Sequence, residues 1–143
     1  SRPPSGNEVA VNGRRRPLPS HLVRRVVEAV LSGERREALI SVTFLGRDAM
    51  RRLNAAHKGN DRPTDVLAFA LADPPGKAVG DVYVCPWVAE REARARGIPL
   101  REELIRLVVH GTLHALGREH PEGAGRTRSP MWRRQERYVE ALA

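Results

Sequence analysis

The segment from Leu100 to Leu116 is the feature that most constrains how this chain can fold. After Arg106 it is mostly apolar, whereas a helix on the surface of a protein keeps a polar face. Pro99 stands near its N-terminus, where proline is tolerated, and Gly117 is typical of a helix end. The pattern therefore predicts a buried central helix that other elements must cover.

Short apolar runs alternate with amphipathic helical patterns along the rest of the chain. Strands are predicted at 8–11, 39–45, 66–70 and 80–85. Further helices are predicted from about residue 20 to Gly33, and over 48–56, 87–96 and 131–142. Residues 57–65 and 121–130 have the composition of loops.

The mixed order of these elements indicates an α+β or α/β sandwich of helices on a small sheet, and we predict the α+β class. We expect a single compact domain over residues 8–143, in which a small mixed four-stranded sheet packs with about five helices. Residues 1–7 are polar and rich in proline and glycine, and we expect a flexible tail there.

Composition limits the classes of function. No apolar run reaches 18 residues, so we expect no membrane span. The single cysteine, Cys85, cannot form an internal disulfide, which fits a reducing compartment, and we interpret it as a small buried apolar residue. The six aromatic side chains, which include Phe69, Tyr83, Trp87 and Trp132, are assigned to the core before any stacking on bases.

The net charge of +8 is unevenly distributed. Residues 1–60 hold 12 basic and 5 acidic side chains, net +7, whereas residues 61–143 hold 13 and 12, net +1. A polyanion bound at one face would account for this pattern, and so would a basic surface without a partner.

Three of the five histidines lie within 11 residues at the end of the predicted central helix. His110 and His114 are four positions apart, so both imidazoles project from one helix face. Gly117 permits a sharp turn that can bring His120 back to them. Three neutral imidazoles leave a tetrahedral zinc ion one open position, which implies catalysis more than scaffolding. The sequence predicts one Zn²⁺ per chain, although nickel and copper suit the same ligands.

This histidine spacing is that of the metzincin proteases, HExxHxxGxxH, with one difference. The glutamate that acts as general base in those enzymes is Gly111 here, and glycine cannot accept a proton. Glu119, beside the third histidine, is the nearest acidic residue. We interpret Glu119 as orienting a histidine rather than as the base.

Two motifs, in this order, resemble the YbeY family of bacterial endoribonucleases. HGTLHALGREH at 110–120 is similar to the family's HGxLHLxGYDH, and LNAAHKGNDRPTDVLAFA at 53–70 is similar to LNxxYRxxDxPTDVLSFP. Lesser similarities are GDV at 80–82 and Met131 with Gln135 and Glu136. The resemblance implies His110, His114 and His120 as metal ligands, and a fold of a small sheet with helices.

The resemblance also implies an activity. It implies a metal-dependent, single-strand-selective endoribonuclease that matures ribosomal RNA, especially the 3′ end of the small-subunit RNA. It implies a cytoplasmic role in ribosome quality control, with the ribosomal small subunit and an assembly GTPase as partners. Two alternatives stay open: a zinc hydrolase of another bond, such as an atypical peptidase, and a ribosome-assembly protein whose metal is structural.

The chain departs from the family in the first motif. The family's arginine is Lys58 here, which keeps the charge and loses the bidentate fork. Our hypothesis is phosphodiester cleavage in which the metal polarises a phosphoryl oxygen or supplies hydroxide, while Lys58 or Arg62 stabilises charge on the phosphate. Arg62 fits a solvated loop equally well. Thr64 and Asp65 can fix the loop that presents Lys58, but we interpret them first as a turn or helix cap before Val66.

Overall fold

The computed structural model describes residues 7–13, 17–72, 77–117 and 129–143, and contains nine elements. The strands are β1 (Glu8–Asn12), β2 (Ala38–Phe44), β3 (Val66–Ala72) and β4 (Ala78–Val84). The helices are α1 (Ser20–Glu34), α2 (Arg47–Lys58), α3 (Pro86–Arg96), α4 (Leu100–Ala115) and α5 (Pro130–Leu142). Each predicted strand and helix is confirmed, with ends that differ by one or two residues. Within these residues, no helix has both the length and the apolar character needed to cross a membrane.

The four strands form one mixed sheet in the order β1-β2-β4-β3. β1, β2 and β4 run parallel, and β3 pairs antiparallel with β4. Phe44 is opposite Val84, which is opposite Val66, so the ends of β2 and β4 and the start of β3 share one edge of the sheet. We call this edge the C-terminal edge. The predicted small mixed sheet is confirmed.

One face of the sheet, with the helices on it, forms the thick layer. α1 and α4 pack on this face, and α5 packs on α4. Alternate residues of β2 and β4 point into the layer, as the period of two in a strand requires. Every residue of α4 from position 103 to 109 is buried, which confirms the predicted central helix. Apolar side chains at the centre of the layer have no exposed surface: Val23, Val26, Val27, Val30, Leu31, Val42, Val82, Ile105, Val108, Val109 and Leu113.

The helix α4 lies unusually close to strand β4. A Cβ atom built on Gly80 would lie 2.6 Å from the Cβ of Ala115. One built on Gly111 would collide with a methyl group of Val82. Small residues at these positions let the two backbones approach, and this sets the height of the histidine-bearing helix above the sheet.

The opposite face carries the thin layer, in which α2 is the covering helix. Met50 of α2 packs with Leu67 and with Cys85, which is fully buried as predicted. Five partly buried apolar side chains pack against this cluster: Leu45, Leu53, Phe69, Tyr83 and Val88. The thin layer therefore has a much smaller core than the thick layer.

The predicted end of α1 at Gly33 is wrong. The helix continues to Glu34 and ends at Arg35, which has a left-handed backbone with φ of 56°. A side chain at Gly33 would collide with the ring of Tyr138 in α5. The glycine therefore serves the contact between two helices, not the helix end.

The predicted loop at 57–65 begins too early. His57 and Lys58 form the last turn of α2, and Gly59 ends the helix with φ of 73°. A cation at the C-terminus of a helix interacts favourably with the helix dipole, so Lys58 stabilises the extra turn.

The assignment of Trp87 to the core is also wrong. Its side chain is 41% exposed in the first turn of α3. The guanidinium carbons of Arg47 and Arg91 lie 5.3 Å and 4.8 Å from its ring centroid. Cation–π contacts therefore hold the indole on the surface in place of burial.

Candidate active site

His110 and His114 lie on the same face of α4, as their spacing predicts. Their ring centroids are 4.5 Å apart, the rings are tilted by 54°, and both side chains are half-buried. His120 and Glu119 lie outside the described residues, so the predicted set of three ligands stays a prediction. Within the described ranges, no three His, Cys, Asp or Glu side chains form a group that could hold a metal ion.

Gln135 of α5 orients the ring of His110. The Nδ1 atom of His110 lies 2.7 Å from Oε1 of Gln135. The amide nitrogen of Gln135 donates to Glu136 at 3.0 Å, which identifies Oε1 as the acceptor facing the imidazole. The proton of His110 is thereby assigned to Nδ1, so Nε2 is the ring nitrogen that carries the lone pair. This arrangement fits a metal-binding imidazole, whose second nitrogen is characteristically held by an outer hydrogen bond.

A buried arginine supports Gln135 from behind. Arg106 donates to both carboxylate oxygens of Glu136 at 2.9 Å, and also to Glu103 at 3.0 Å and Glu102 at 3.1 Å. Arg106 is only 7% exposed, so these acceptors offset the loss of water around its charge. Hydrogen bonds chiefly to Glu136 raise the pKa of Arg106, so the cation is permanent.

The two principal carboxylates around Arg106 differ in their pKa values. Burial alone would raise the pKa of Glu136, but hydrogen bonds from Arg106 and Gln135 outweigh it and bring the pKa below its ordinary value. Burial raises the pKa of Glu103, and the hydrogen bond from Arg106 offsets only part of that rise. Glu136 therefore remains a carboxylate that holds Gln135, while Glu103 is the more readily protonated.

Two cavities meet at His110. The polar cavity, about 490 Å³, is lined by residues of α3, α4 and α5, by the loop before β3 and by the start of β3, among them Asp65, Arg106, His110, Trp132 and Gln135. The edge cavity, about 150 Å³, is lined by Lys58, Val66, Leu67, Ala68, His110 and His114. The structure thus brings Lys58 together with both histidines, although 52 positions separate Lys58 from His110 in the sequence.

Of the other residues predicted for the phosphate loop, only Asp65 lines one of these cavities. Arg62 is exposed and lines neither of them, and its carbonyl accepts a hydrogen bond from the buried Asn54 at 2.8 Å. The hydroxyl of Thr64 donates to Asp65 at 3.4 Å, and the carbonyl of Asp65 accepts from the backbone of Cys85 at 2.9 Å. These bonds anchor the loop between α2 and β3.

The sequence patterns do not predict this supporting network. Gln135 and Glu136 were noticed only as part of a similar terminal helix, and Arg106 only as the start of an apolar run. A signal was present, because Glu102, Glu103 and Arg106 stand at the spacing of ion pairs on one helix. Their pairing with Glu136 joins two helices, and spacing within one helix does not reveal it.

Comparison with known proteins gives a consistent result. The family model described as endoribonuclease YbeY matches residues 13–143. The chain is 33% identical to endoribonuclease YbeY of Thermotoga maritima over 120 residues, which cover 84% of this chain and 78% of that protein. It is 40% identical to endoribonuclease YbeY of Alkalilimnicola ehrlichii over 109 residues, which cover 71% and 66%. The solution structure of TM1509 from Thermotoga maritima matches with a TM-score of 0.65 and 31% identity, over 94% of this chain and 88% of that one.

Proposed function

This chain belongs to the YbeY family of endoribonucleases, and on that premise we propose that it is a metal-dependent endoribonuclease that cleaves single-stranded ribosomal RNA. The observation that carries the proposal is the edge cavity, where Lys58 faces the same small space as His110 and His114. A cation beside two imidazoles suits the cleavage of a phosphodiester. The cation can neutralise the charge of the phosphate, and the imidazoles can hold a metal ion that assists the reaction.

The metal would be zinc, one ion per chain, held by His110, His114 and His120. The donor chemistry supports this, because the hydrogen bond to Gln135 places the lone pair of His110 on Nε2, and His114 lies one turn along the same helix face. Such an ion supplies a Lewis acid for a phosphoryl oxygen when it is bound. Glu119 would orient one of the three imidazoles.

Lys58 would hold the scissile phosphate. It is exposed at the end of α2, and its ammonium nitrogen lies 6.0 Å from the ring centroid of Phe69. From there it can neutralise a phosphate that enters the edge cavity and stabilise the charge that grows on the phosphoryl oxygens during cleavage. Arg62 would be a second cation for the flanking phosphate. Thr64 and Asp65 would position the loop that links the two cations.

The wider role is proposed from the family premise. We assign the enzyme to maturation of the 3′ end of small-subunit ribosomal RNA and to ribosome quality control in the cytoplasm. Its partners would then be the ribosomal small subunit and an assembly GTPase. A peptidase is disfavoured, because the position of the protease glutamate is Gly111, where a side chain would collide with Val82.

The test pairs metal analysis with cleavage of a labelled single-stranded RNA. Protein purified without added metal should hold about one zinc per chain, from three histidines and one open position. A chelator should abolish RNA cleavage, and added metal should restore it. His114→Ala should lose both bound metal and at least 100-fold in kcat/KM, an effect expected when an essential group is removed. His21→Ala, an exposed histidine of α1, is the matched control.

Two outcomes would contradict the proposal. One is RNA cleavage by His114→Ala at the full rate of His21→Ala, when both are purified in parallel so that a contaminating nuclease would add the same activity to each. The other is hydrolysis of casein, but not of RNA, by the metal-loaded protein.

A further inference from the structure

A second groove opens at the C-terminal edge of the sheet, and the proposed function does not use it. Its volume is about 870 Å³, within the range of small-molecule sites. Its walls are the residue after β1, the end of β2 and the first turns of α2 and α3, including Gly13, Phe44, Arg47, Arg52, Trp87 and Glu90. We call it the Trp87 groove.

The indole of Trp87 is the groove's largest exposed apolar surface. It is 41% exposed, whereas most large apolar side chains of the described residues are buried. The guanidinium groups of Arg47 and Arg91 lie 5.3 Å and 4.8 Å from its centroid and fix its orientation. Exposed aromatic rings beside arginines are platforms on which proteins stack unpaired bases. A base on Trp87 would take the place of one of the two guanidinium groups over the ring.

The charges around the groove suit an anion. Arg47 is within 3.5 Å of Asp48, and Glu90 is bonded by Arg94 at 2.8 Å. Arg52 is exposed, and in the described part of the chain no ion pair with it is found. The groove and its rim thus carry three basic side chains, Arg47, Arg52 and Arg91. They carry only two acidic ones, Asp48 and Glu90, so the net charge beside the indole is positive.

The Trp87 groove and the edge cavity lie along the same edge. Phe44 lines the groove, Val66 lines the edge cavity, and Val84 pairs with both of them. Neighbouring strands are about 4.8 Å apart, so Phe44 and Val66 are about 10 Å apart across the sheet. A single polynucleotide strand can span this distance.

We propose that the Trp87 groove binds a nucleotide of the same single-stranded RNA, a few nucleotides from the scissile phosphate. The base stacks on Trp87, and its phosphates contact Arg47 and Arg52. This inference rests on the proposed function, which places the scissile phosphate in the edge cavity. It adds a second subsite that sets how long a single-stranded tract the enzyme requires.

The experiment measures RNA binding and cleavage for two lengths of unpaired RNA, twelve and three nucleotides. Trp87→Ala should weaken binding of the twelve-nucleotide RNA roughly tenfold or more, as loss of one stacked base does. Fluorescence anisotropy in a chelator measures that binding without cleavage. The advantage in kcat/KM of the longer RNA over the shorter one should shrink by a similar factor.

Arg52→Gln is the second variant, and it removes a charge without touching the core. It should lower the slope of log K against log salt by about 0.7, the value for one phosphate contact on a single strand. Arg24→Gln, an exposed arginine on the wet face of α1, should leave both affinity and slope unchanged. Thermal unfolding of each variant shows that the fold is intact.

The failures of this inference and of the proposed function are distinguishable. If the unaltered protein cleaves RNA, and Trp87→Ala and Arg52→Gln bind it as Arg24→Gln does, the groove is not an RNA subsite. If Trp87→Ala keeps RNA affinity but loses binding to the ribosomal small subunit's proteins, the groove serves a protein, and the inference is overturned. If the unaltered protein binds RNA through Trp87 without cleaving it, the subsite stands and the proposed activity fails.

Discussion

Helices α1, α4 and α5 build the thick layer, whereas the thin layer depends on α2, and the candidate site takes residues from both. His110 and His114 come from α4, the most buried helix, whose packing leaves little freedom for its side chains. Lys58 comes from the last turn of α2, over the small cluster around Met50. The difference indicates that the two histidines proposed as metal ligands are held rigidly, while Lys58, the proposed phosphate-binding cation, is held by fewer contacts.

The two layers meet because β3 is the last strand of the sheet. Val66 and Ala68 face the thick layer, and Leu67 faces the thin layer, yet all three line the edge cavity. A cavity that includes both faces of a strand has to wrap around its edge. In the interior of the sheet, the neighbouring strands would separate the histidines from Lys58.

The largest effect should come from truncating the two cores. Leu31→Ala in the thick layer should lower the free energy of unfolding by about 3–5 kcal/mol, because a buried leucine leaves a cavity that rigid surroundings do not fill. Met50→Ala should cost less, about 2–3 kcal/mol, because the smaller cluster can collapse around it. Denaturant unfolding measures both.

The loss of RNA cleavage should rank these two variants in the opposite order to their loss of stability. Met50→Ala should lower RNA cleavage more than Leu31→Ala at a temperature where both remain folded, because Met50 supports the helix that carries Lys58. Equal activities would mean that the thin layer does not determine the position of Lys58. The two layers would then differ in stability but not in their effect on RNA cleavage.

The next largest effect should come from Lys58 itself. Lys58→Ala should reduce kcat/KM for RNA about 100-fold, as the loss of one charge-stabilising donor does, while Lys58→Arg should keep most of it. The stability of both should stay within about 0.5 kcal/mol of the unaltered protein, since the side chain is exposed. Full activity of Lys58→Ala, together with loss in Arg62→Ala, would transfer the role to Arg62.

A smaller effect, confined to the thick layer, is expected from Gln135. Gln135→Met has a similar volume but no acceptor for Nδ1–H of His110, and it should weaken zinc binding about 10- to 100-fold. Competition with a chromophoric chelator measures this without any RNA. Lys58→Ala should bind zinc like the unaltered protein; if its affinity fell as far, the division of tasks between the layers would be refuted.

The sequence predicted the elements well and their assembly less well. The buried helix α4 could be predicted because an apolar run between Pro99 and Gly117 has few alternatives. The role of Gly33 could not be predicted, because it makes room for the ring of Tyr138, which is 105 positions away in the chain. The strand order was not predicted, since pairing depends on contacts between distant segments.

The candidate site was predicted in the same uneven way. Lys58, His110 and His114 were identified from motifs, and the structure brings them to one cavity. Gln135 and Arg106 were missed because their roles exist only between helices. Trp87 was misplaced because arginines from α2 and α3 stabilise its exposed ring, and composition does not show which aromatic residues have such neighbours.

The contact between Gly111 and Val82 also restricts how this scaffold can change during evolution. A glutamate at position 111 would give the chain the motif of a zinc peptidase, and a few nucleotide changes would suffice to encode it. The Cβ atom of that glutamate, however, would push α4 away from β4. Overpacking of this kind lowers the free energy of unfolding by about 1–3 kcal/mol or more. Val82 would have to shrink first, which leaves a destabilising gap in the core. The two chemistries share a spacing of histidines, but a barrier in the hydrophobic interior separates them.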